Sequence, residues 1–223
     1  ALVAPSLGLF GLVYLYPVAY SAYVSFLEWD LMGPARWVGL ANYRELWSAE
    51  FREVITNTAQ YSIGVVVLSQ ALGLGLAVLL NNRTRLGALF QASIFSSYVV
   101  SWVAVSLLWI WLLDPQYGLV AYLLSLVGLP SVNWLGDHRI ALWSLVLVTV
   151  WKSVGYPMVI YLAGLQAIPG DVYEAAALDG ADGWRRFRHI TWPLLTPTTL
   201  FLMVTLTIAS FQGFDIVKIM TQG

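Results

Sequence analysis

The chain has 223 residues, 59% of them apolar and only 10% charged, with a mean hydropathy of +0.74. A soluble domain carries roughly 25% charged residues, so the charge here is too sparse to coat a water-facing globule, and the solvent must be lipid. A net charge of −1 without a long basic stretch excludes general attraction to nucleic acid, and the lack of cysteine excludes a disulfide scaffold and thiolate chemistry.

Crossing a bilayer takes about 20 mostly apolar residues in helical form, because only helices and closed barrels satisfy every backbone polar group in lipid. Barrel strands would alternate polar and apolar residues, and these runs do not. Pro5–Leu27, Val54–Leu80 and Leu86–Leu113 carry no charge, and Ile140–Ile168 is interrupted only by Lys152. A further run starts near Ile190 and reaches Phe214. The fold class expected is therefore all-α: one polytopic transmembrane domain over 1–223, with spans near 5–27, 54–80, 86–113, 140–168 and 190–214. No basic leader precedes Pro5–Leu27, which reads as a span and not as a signal peptide; both chain ends read as trimmed. Gly118–Val127 is too short to cross before Gly128-Leu129-Pro130, so it reads as an interfacial or re-entrant helix.

Three connections carry polar residues. Residues 28–53 hold Glu28, Asp30, Glu45, Glu50 and Glu53 against Arg36, Arg44 and Arg52, and Asn81–Gly87 is a tight turn with Arg83 and Arg85. Basic residues divide almost evenly between the two sides, so counting them hardly decides orientation. The acid-free arginines of the Asn81–Gly87 turn lean toward a cytoplasmic side, where the Asn82-Arg83-Thr84 match to a glycosylation acceptor would be a false positive. Small residues such as Gly73 and Ala77 allow close helix contact.

The third connection, 169–193, is the most informative. Pro169-Gly170 ends a span, and Asp171 with Glu174 three residues on has capping-box spacing for a new helix. Ala175-Ala176-Ala177-Leu178 favours helix with little side-chain bulk, and Gly180 suits its stop. Asp182 can start a second short helix in which Trp184, Phe187 and Ile190 face away from Arg185 and Arg186, and Pro193 opens the last run. The result is a helix–Gly–helix elbow with a smooth alanine surface, able to pass a push from a partner to the bundle. The competing reading is a polar loop with no partner.

These residues resemble the E-A-A motif of bacterial ABC-importer permeases, carried by Glu174-Ala175-Ala176, Gly180, Ile190 and Pro193. Asp179-Gly180-Ala181 and the Arg-Phe-Arg-His-Ile run are similar to the carbohydrate-uptake branch related to the maltose and glycerol-phosphate systems. Trp192 stands where that family often has Leu. Val38-Gly39-Leu40-Ala41-Asn42-Tyr43, Trp151-Lys152, Ala163–Pro169 and Phe214-Asp215 also look like family landmarks.

The resemblance implies a type I importer permease core in the inner membrane, with 169–193 as the cytoplasmic coupling loop and 28–53 and 114–139 periplasmic. It implies an ABC ATPase subunit contacted through Glu174, Ala175, Ala176, Asp179, Gly180, Arg186, Ile190 and Pro193. A second homologous permease subunit and an external sugar-binding protein are the other implied partners. Met220-Thr221-Gln222-Gly223 resembles the segment before the family's last span, which is expected to be missing.

No chemistry of its own is expected of the chain. It has no phosphate-cradling loop, since neither Lys152 nor Lys218 follows a glycine. H-E-x-x-H and G-x-S-x-G are absent, and His138 and His189 lie in different connections, so neither a catalytic residue nor a metal site is expected. ATP and Mg²⁺ would sit on the partner ATPase.

A sugar path needs hydroxyl-bonding and aromatic groups within the membrane, and Asn57, Tyr61, Gln70, Lys152, Tyr156, Ser210, Gln212 and Asp215 are the polar candidates. For each, interhelical hydrogen bonding worth about 0.6 kcal/mol is the competing reading. Gly155-Tyr156-Pro157 breaks a span, and 210–214 mixes polar and aromatic groups. Related maltose-type permeases contact sugar on the matching helices, which singles out Gly155, Tyr156, Ser210, Gln212 and Gly213. Lys152 could snorkel to the interface or pair with a partner. An ion-coupled carrier or a membrane enzyme are the competing classes; the first needs a repeated span pattern and the second a paired nucleophile and base, and neither is visible.

Overall fold

The computed structural model describes residues 3–30, 32–81 and 84–221. Asn82 and Arg83 of the basic turn, Gln222, Gly223 and the side chain of Phe214 lie outside the described residues. By contacts the chain divides into two compact units, Ala1–Asn57 and Thr58–Gly223.

In the first unit, helix α1 (Ala4–Val24) is long and apolar enough to cross a bilayer. Past it, Leu27–Glu28 and Arg36–Trp37 pair as antiparallel strands β1 and β2, and α2 (Ala41–Glu45) follows. Asn42 Nδ2 donates to the carbonyls of Ser25 and Leu27 at 2.9 Å each, and Tyr43 Oη shares a 2.6 Å hydrogen bond with Ser25 Oγ. The rings of Trp37 and Tyr43 close on Phe26 at 5.6 and 5.7 Å. The Val38–Tyr43 segment thus folds back on the end of α1 and satisfies its terminal carbonyls. In the connecting turn the amides of Gly33 and Met32 donate to Asp30, which holds its carboxyl below the usual range.

Helix α3 (Ala49–Leu80) has 32 residues, about 48 Å at 1.5 Å per residue. That exceeds a hydrocarbon core of roughly 30 Å, which leaves room for its charged start at Glu50, Arg52 and Glu53 to stand outside. The remaining long helices come in bent pairs: α4 (Arg85–Val99) with α5 (Trp102–Leu112) at 100°, α7 (His138–Ser153) with α8 (Gly155–Gln166) at 48°, and α10 (Gly183–Leu194) with α11 (Thr196–Phe211) at 63°. Between them lie the short helices α6 (Leu119–Leu126) and α9 (Gly170–Leu178), and α12 (Phe214–Thr221) closes the described chain. Counting each bent pair once, up to five helical segments among the described residues could cross a membrane.

The break at Val154 falls where Gly155-Tyr156-Pro157 announces it. The break at Val100-Ser101 does not: the uncharged run 86–113 reads as one helix, yet both residues take extended ψ angles of 143° and 140°. Here tertiary hydrogen bonds, described below, replace the helical ones. The last run also bends, at Leu195 between Pro193 and Pro197, each of which removes a backbone donor.

Two apolar clusters hold the second unit. Tyr61, Val65, Val105, Val146, Val148 and Ile216 join α3, α5, α7 and α12. Val66, Ala77, Met158, Tyr161, Leu202 and Leu206 join α3, α8 and α11. Gly73 is the crossing point of α3 and α8: a Cβ there would lie 2.9 Å from Pro157 Cβ and 3.0 Å from the Met158 amide nitrogen. Gly75, two residues on, faces open space. Gly73→Val therefore forces the helices apart and destabilises by about 1–3 kcal/mol, whereas Gly75→Ala is neutral or slightly stabilising. Thermal unfolding of the two variants in one detergent separates these outcomes.

Candidate functional site

A cavity of about 320 Å³ opens within the second unit, near the low end of the roughly 300–1,000 Å³ typical of small-molecule sites. Its walls come from six helices and alternate ring faces with hydroxyls: Tyr61 on α3, Tyr98 on α4 and Trp102 on α5 astride the 100° bend, Thr149 and Ser153 on α7, Tyr156 on α8, and Thr205 and Ser210 on α11. Gln212 and Gly213 complete the rim. Tyr98 and Tyr156 stack at 5.4 Å.

The hydroxyls are held in place. Tyr61 Oη shares a 2.9 Å hydrogen bond with Thr149 Oγ1. Ser153 donates to the Thr149 carbonyl at 2.6 Å, Thr205 to Phe201 at 3.0 Å and Ser210 to Thr207 at 2.8 Å. The protons of Ser153, Thr205 and Ser210 are thus spent on the chain's own backbone, while their oxygen lone pairs remain to accept from a ligand.

A second feature is the elbow 170–194. Helix α9 begins at Gly170 after Pro169, and no side chain caps it. Asp171 therefore does not cap the helix as its spacing with Glu174 predicts. Pro169 enters with ψ 141°, the helix starts two residues earlier, and Asp171 sits in its first turn, where its charge favours the positive helix end.

The stop falls at Gly180, whose φ of +73° only glycine adopts readily. The Ala181 amide donates to Ala176 O at 2.9 Å and the Gly180 amide to Ala177 O at 3.1 Å, the paired bonds of a Schellman ending. Asp182 occupies the N-cap of the second arm without a side-chain bond. The arms are tied together: Tyr173 Oη meets Thr191 Oγ1 at 3.2 Å, and Arg186 lies 5.6 Å over the Tyr173 ring. On the outer surface, Glu174, Ala175 and Asp179 are exposed, Leu178 is 90% exposed and Trp184 69%.

Residues 70–223 match the family described as "Binding-protein-dependent transport system inner membrane component". The chain belongs to this family. It is 34% identical, over 98% of its length and 76% of the relative's, to a probable ABC transporter permease protein of Pyrococcus horikoshii. It is 37% identical, over 83% of its length and 63% of the relative's, to the trehalose/maltose transport system permease protein MalF of Thermococcus litoralis. A crystal structure of a bacterial ABC transporter involved in import of the acidic polysaccharide alginate superimposes with a TM-score of 0.84 at 25% identity, covering 99% of this chain and 76% of that one. The likeness to carbohydrate-uptake ABC permeases and the all-α transmembrane fold drawn from the sequence are both borne out, and this permease is an inner-membrane component of a binding-protein-dependent importer.

Of the residues expected along a path, the permease brings Tyr61, Tyr156, Ser210, Gln212 and Gly213 to one cavity. Gly155 lies outside its lining, at a helix crossing where a Cβ would come within 2.8 Å of the Ile94 carbonyl. Gln70 accepts from Tyr161 Oη at 3.1 Å on the other side of α3, Asp215 is exposed at the start of α12, and Asn57 belongs to the first unit. Lys152 neither snorkels nor forms an ion pair among the described residues; it is buried.

Tyr98, Trp102, Thr149, Ser153 and Thr205 line the cavity without being singled out by sequence. The first two flank a bend with no glycine or proline, and hydroxyls inside apolar helices are too common to stand out. In the coupling-loop set, Ala176 is buried, Arg186 exposed on the second arm, Ile190 half-buried and Pro193 exposed.

Gly180→Ala tests the elbow's geometry directly. A Cβ in left-handed backbone costs roughly 1–2 kcal/mol, so the Gly180 and Ala181 amides are expected to exchange hydrogen about tenfold faster, with amides of α7 unchanged.

Proposed function

We propose that this permease moves a sugar or sugar derivative through the cavity lined by Tyr61, Tyr98, Trp102, Tyr156 and Ser210. The supporting observation is the lining itself: ring faces interleaved with lone-pair-bearing oxygens inside an otherwise apolar bundle. A pyranose presents the matching surface, with apolar C–H faces and a rim of hydroxyl donors. Polar groups within spans are expensive and mark pathways. The Thermococcus relative's transport of trehalose and maltose agrees with that substrate class.

On this reading the whole of 1–223 serves as one transmembrane domain, and 169–193 is its coupling loop on the cytoplasmic side. Glu174, Ala175, Ala176, Asp179, Gly180, Arg186, Ile190 and Pro193 form or hold the surface that docks on a separate ABC ATPase subunit, where ATP and Mg²⁺ bind. Leu178 and Trp184, exposed to the degree of unpartnered apolar residues, extend that surface. A second homologous permease subunit completes the path, and an external sugar-binding protein delivers the substrate.

The test uses the assembled importer in vesicles with ATP on the elbow side. Ser210→Trp fills the cavity and is expected to cut sugar uptake by about tenfold or more, the scale of a lost 1.4 kcal/mol, while the ATPase still co-purifies. Leu178→Asp and Glu174→Ala leave the permease inserted but lower the ATPase retained. Wild-type uptake in Ser210→Trp removes the cavity from the path, and undiminished ATPase recovery in both elbow variants removes the coupling role.

A further inference from the structure

Lys152 is the one residue of the long apolar runs whose charge the proposed path leaves unexplained. Its side chain is only 2% exposed, and burial of a charge without compensation is expensive. Compensation comes from a neighbouring helix end. Lys152 Nζ donates to the Tyr98 carbonyl at 2.9 Å, one of the last carbonyls of α4, which have no partner within the helix. It also sits 4.4 Å over the Trp102 ring and 5.6 Å from the Tyr98 ring.

The exchange runs both ways. Ser97 Oγ lies within hydrogen-bonding distance of the carbonyls of Ile94, Trp151 and Lys152, at 2.9, 3.4 and 3.1 Å. The end of α4 and the end of α7 therefore cap each other. These are the two places where the helices bend, by 100° and by 48°. Tyr98, Trp102 and Tyr156, which flank those bends, form the aromatic wall of the cavity.

We propose that Lys152 is a positioning residue for substrate, a cationic latch that ties the two helix breaks together and fixes the Tyr98–Trp102 wall. The inference rests on the reading of that cavity as the sugar path. Lys152 does not line the cavity; it acts from behind, through the Tyr98 carbonyl and the indole face. A cation held over an aromatic face within about 6 Å is attracted by the ring's quadrupole, and a charged donor makes the stronger kind of hydrogen bond. Lysine here replaces one of the helical hydrogen bonds that the 100° turn gives up, and it fixes ring orientation in the same contact.

The experiment uses the assembled importer labelled with 5-fluorotryptophan, with Trp102→Phe identifying the Trp102 resonance. Lys152→Met keeps the length and removes donor and charge; Lys152→Arg keeps both. In Lys152→Met the Trp102 signal is expected to move while the other indoles stay, and uptake to fall by at least about tenfold, since a cation–π contact and a charged hydrogen bond together exceed that scale. Lys152→Arg should restore the signal and most of the uptake.

An unmoved Trp102 resonance or wild-type uptake in Lys152→Met overturns the latch, and so does a Lys152→Arg variant as impaired as Lys152→Met. If Lys152→Met fails to assemble, Lys152→Gln decides: wild-type uptake there shows that charge is not required. The resonance reports on the latch whether or not the cavity carries sugar, so wild-type uptake in Ser210→Trp beside a shifted Trp102 signal sinks the path and leaves the latch standing.

Discussion

A helix can be interrupted inside hydrocarbon only where something else takes up the hydrogen bonds it abandons. That constraint governs this permease, because its bent pairs break three of the helical segments long enough to cross a membrane. At Val100-Ser101 the replacement is Lys152 Nζ on the Tyr98 carbonyl at 2.9 Å. Near Val154, Ser97 Oγ lies 3.4 and 3.1 Å from the carbonyls of Trp151 and Lys152. At two of the breaks a side chain from the neighbouring helix thus meets the helix-end carbonyls, and the cavity forms beside them. Its polarity follows from the bends.

The same bends give the second unit its mechanical connectivity. The elbow's second arm, α10, runs into Leu195, which is buried, and α11 continues to Thr205 and Ser210 on the cavity wall. One uninterrupted stretch of chain thus joins the exposed elbow surface to the candidate path. The Schellman ending at Gly180 and the Tyr173 contacts to Thr191 and Arg186 keep the two arms from folding independently. On the proposed function, a displacement at Leu178 is carried along α10, and the 63° bend redirects it. Gly164 packs at that bend, with its Cβ position 3.0 Å from Leu195 and Thr198, so α8 and α11 are close enough to move as neighbours.

Much of this was legible in the sequence, for reasons that are local. Uncharged runs mark the helices because lipid tolerates nothing else, Gly180 marks the elbow because its backbone is left-handed, and Pro157 marks one break because it lacks a donor. Gly73 and Ala77 announce a close crossing because they have almost no side chain. The Val100-Ser101 break left no such mark. Nothing within 86–113 forbids a continuous helix; the group that takes up the Tyr98 carbonyl is Lys152, about fifty positions away, and a long-range contact has no periodicity to read. Asp171 misled for the opposite reason: its spacing to Glu174 fits a capping box, but Pro169 starts the helix first.

The cavity's hydroxyls explain why such a site could release what it binds. Ser153, Thr205 and Ser210 each donate to a carbonyl of their own helix, so the empty cavity holds no orphaned hydroxyl proton at those positions. An unsatisfied buried donor would add about 1–3 kcal/mol to the affinity for any ligand that relieved it, and tight binding would stall transit. On the proposed function, a sugar gains at these three positions only what its own hydroxyls donate to free lone pairs, beside what its C–H faces gain on Tyr98, Trp102 and Tyr156. Both terms are modest, and both vanish if the wall turns away. In such a path selectivity comes from the placement of the rings more than from the strength of any one bond, which is why the residue that sets their placement matters even though it never reaches the lumen.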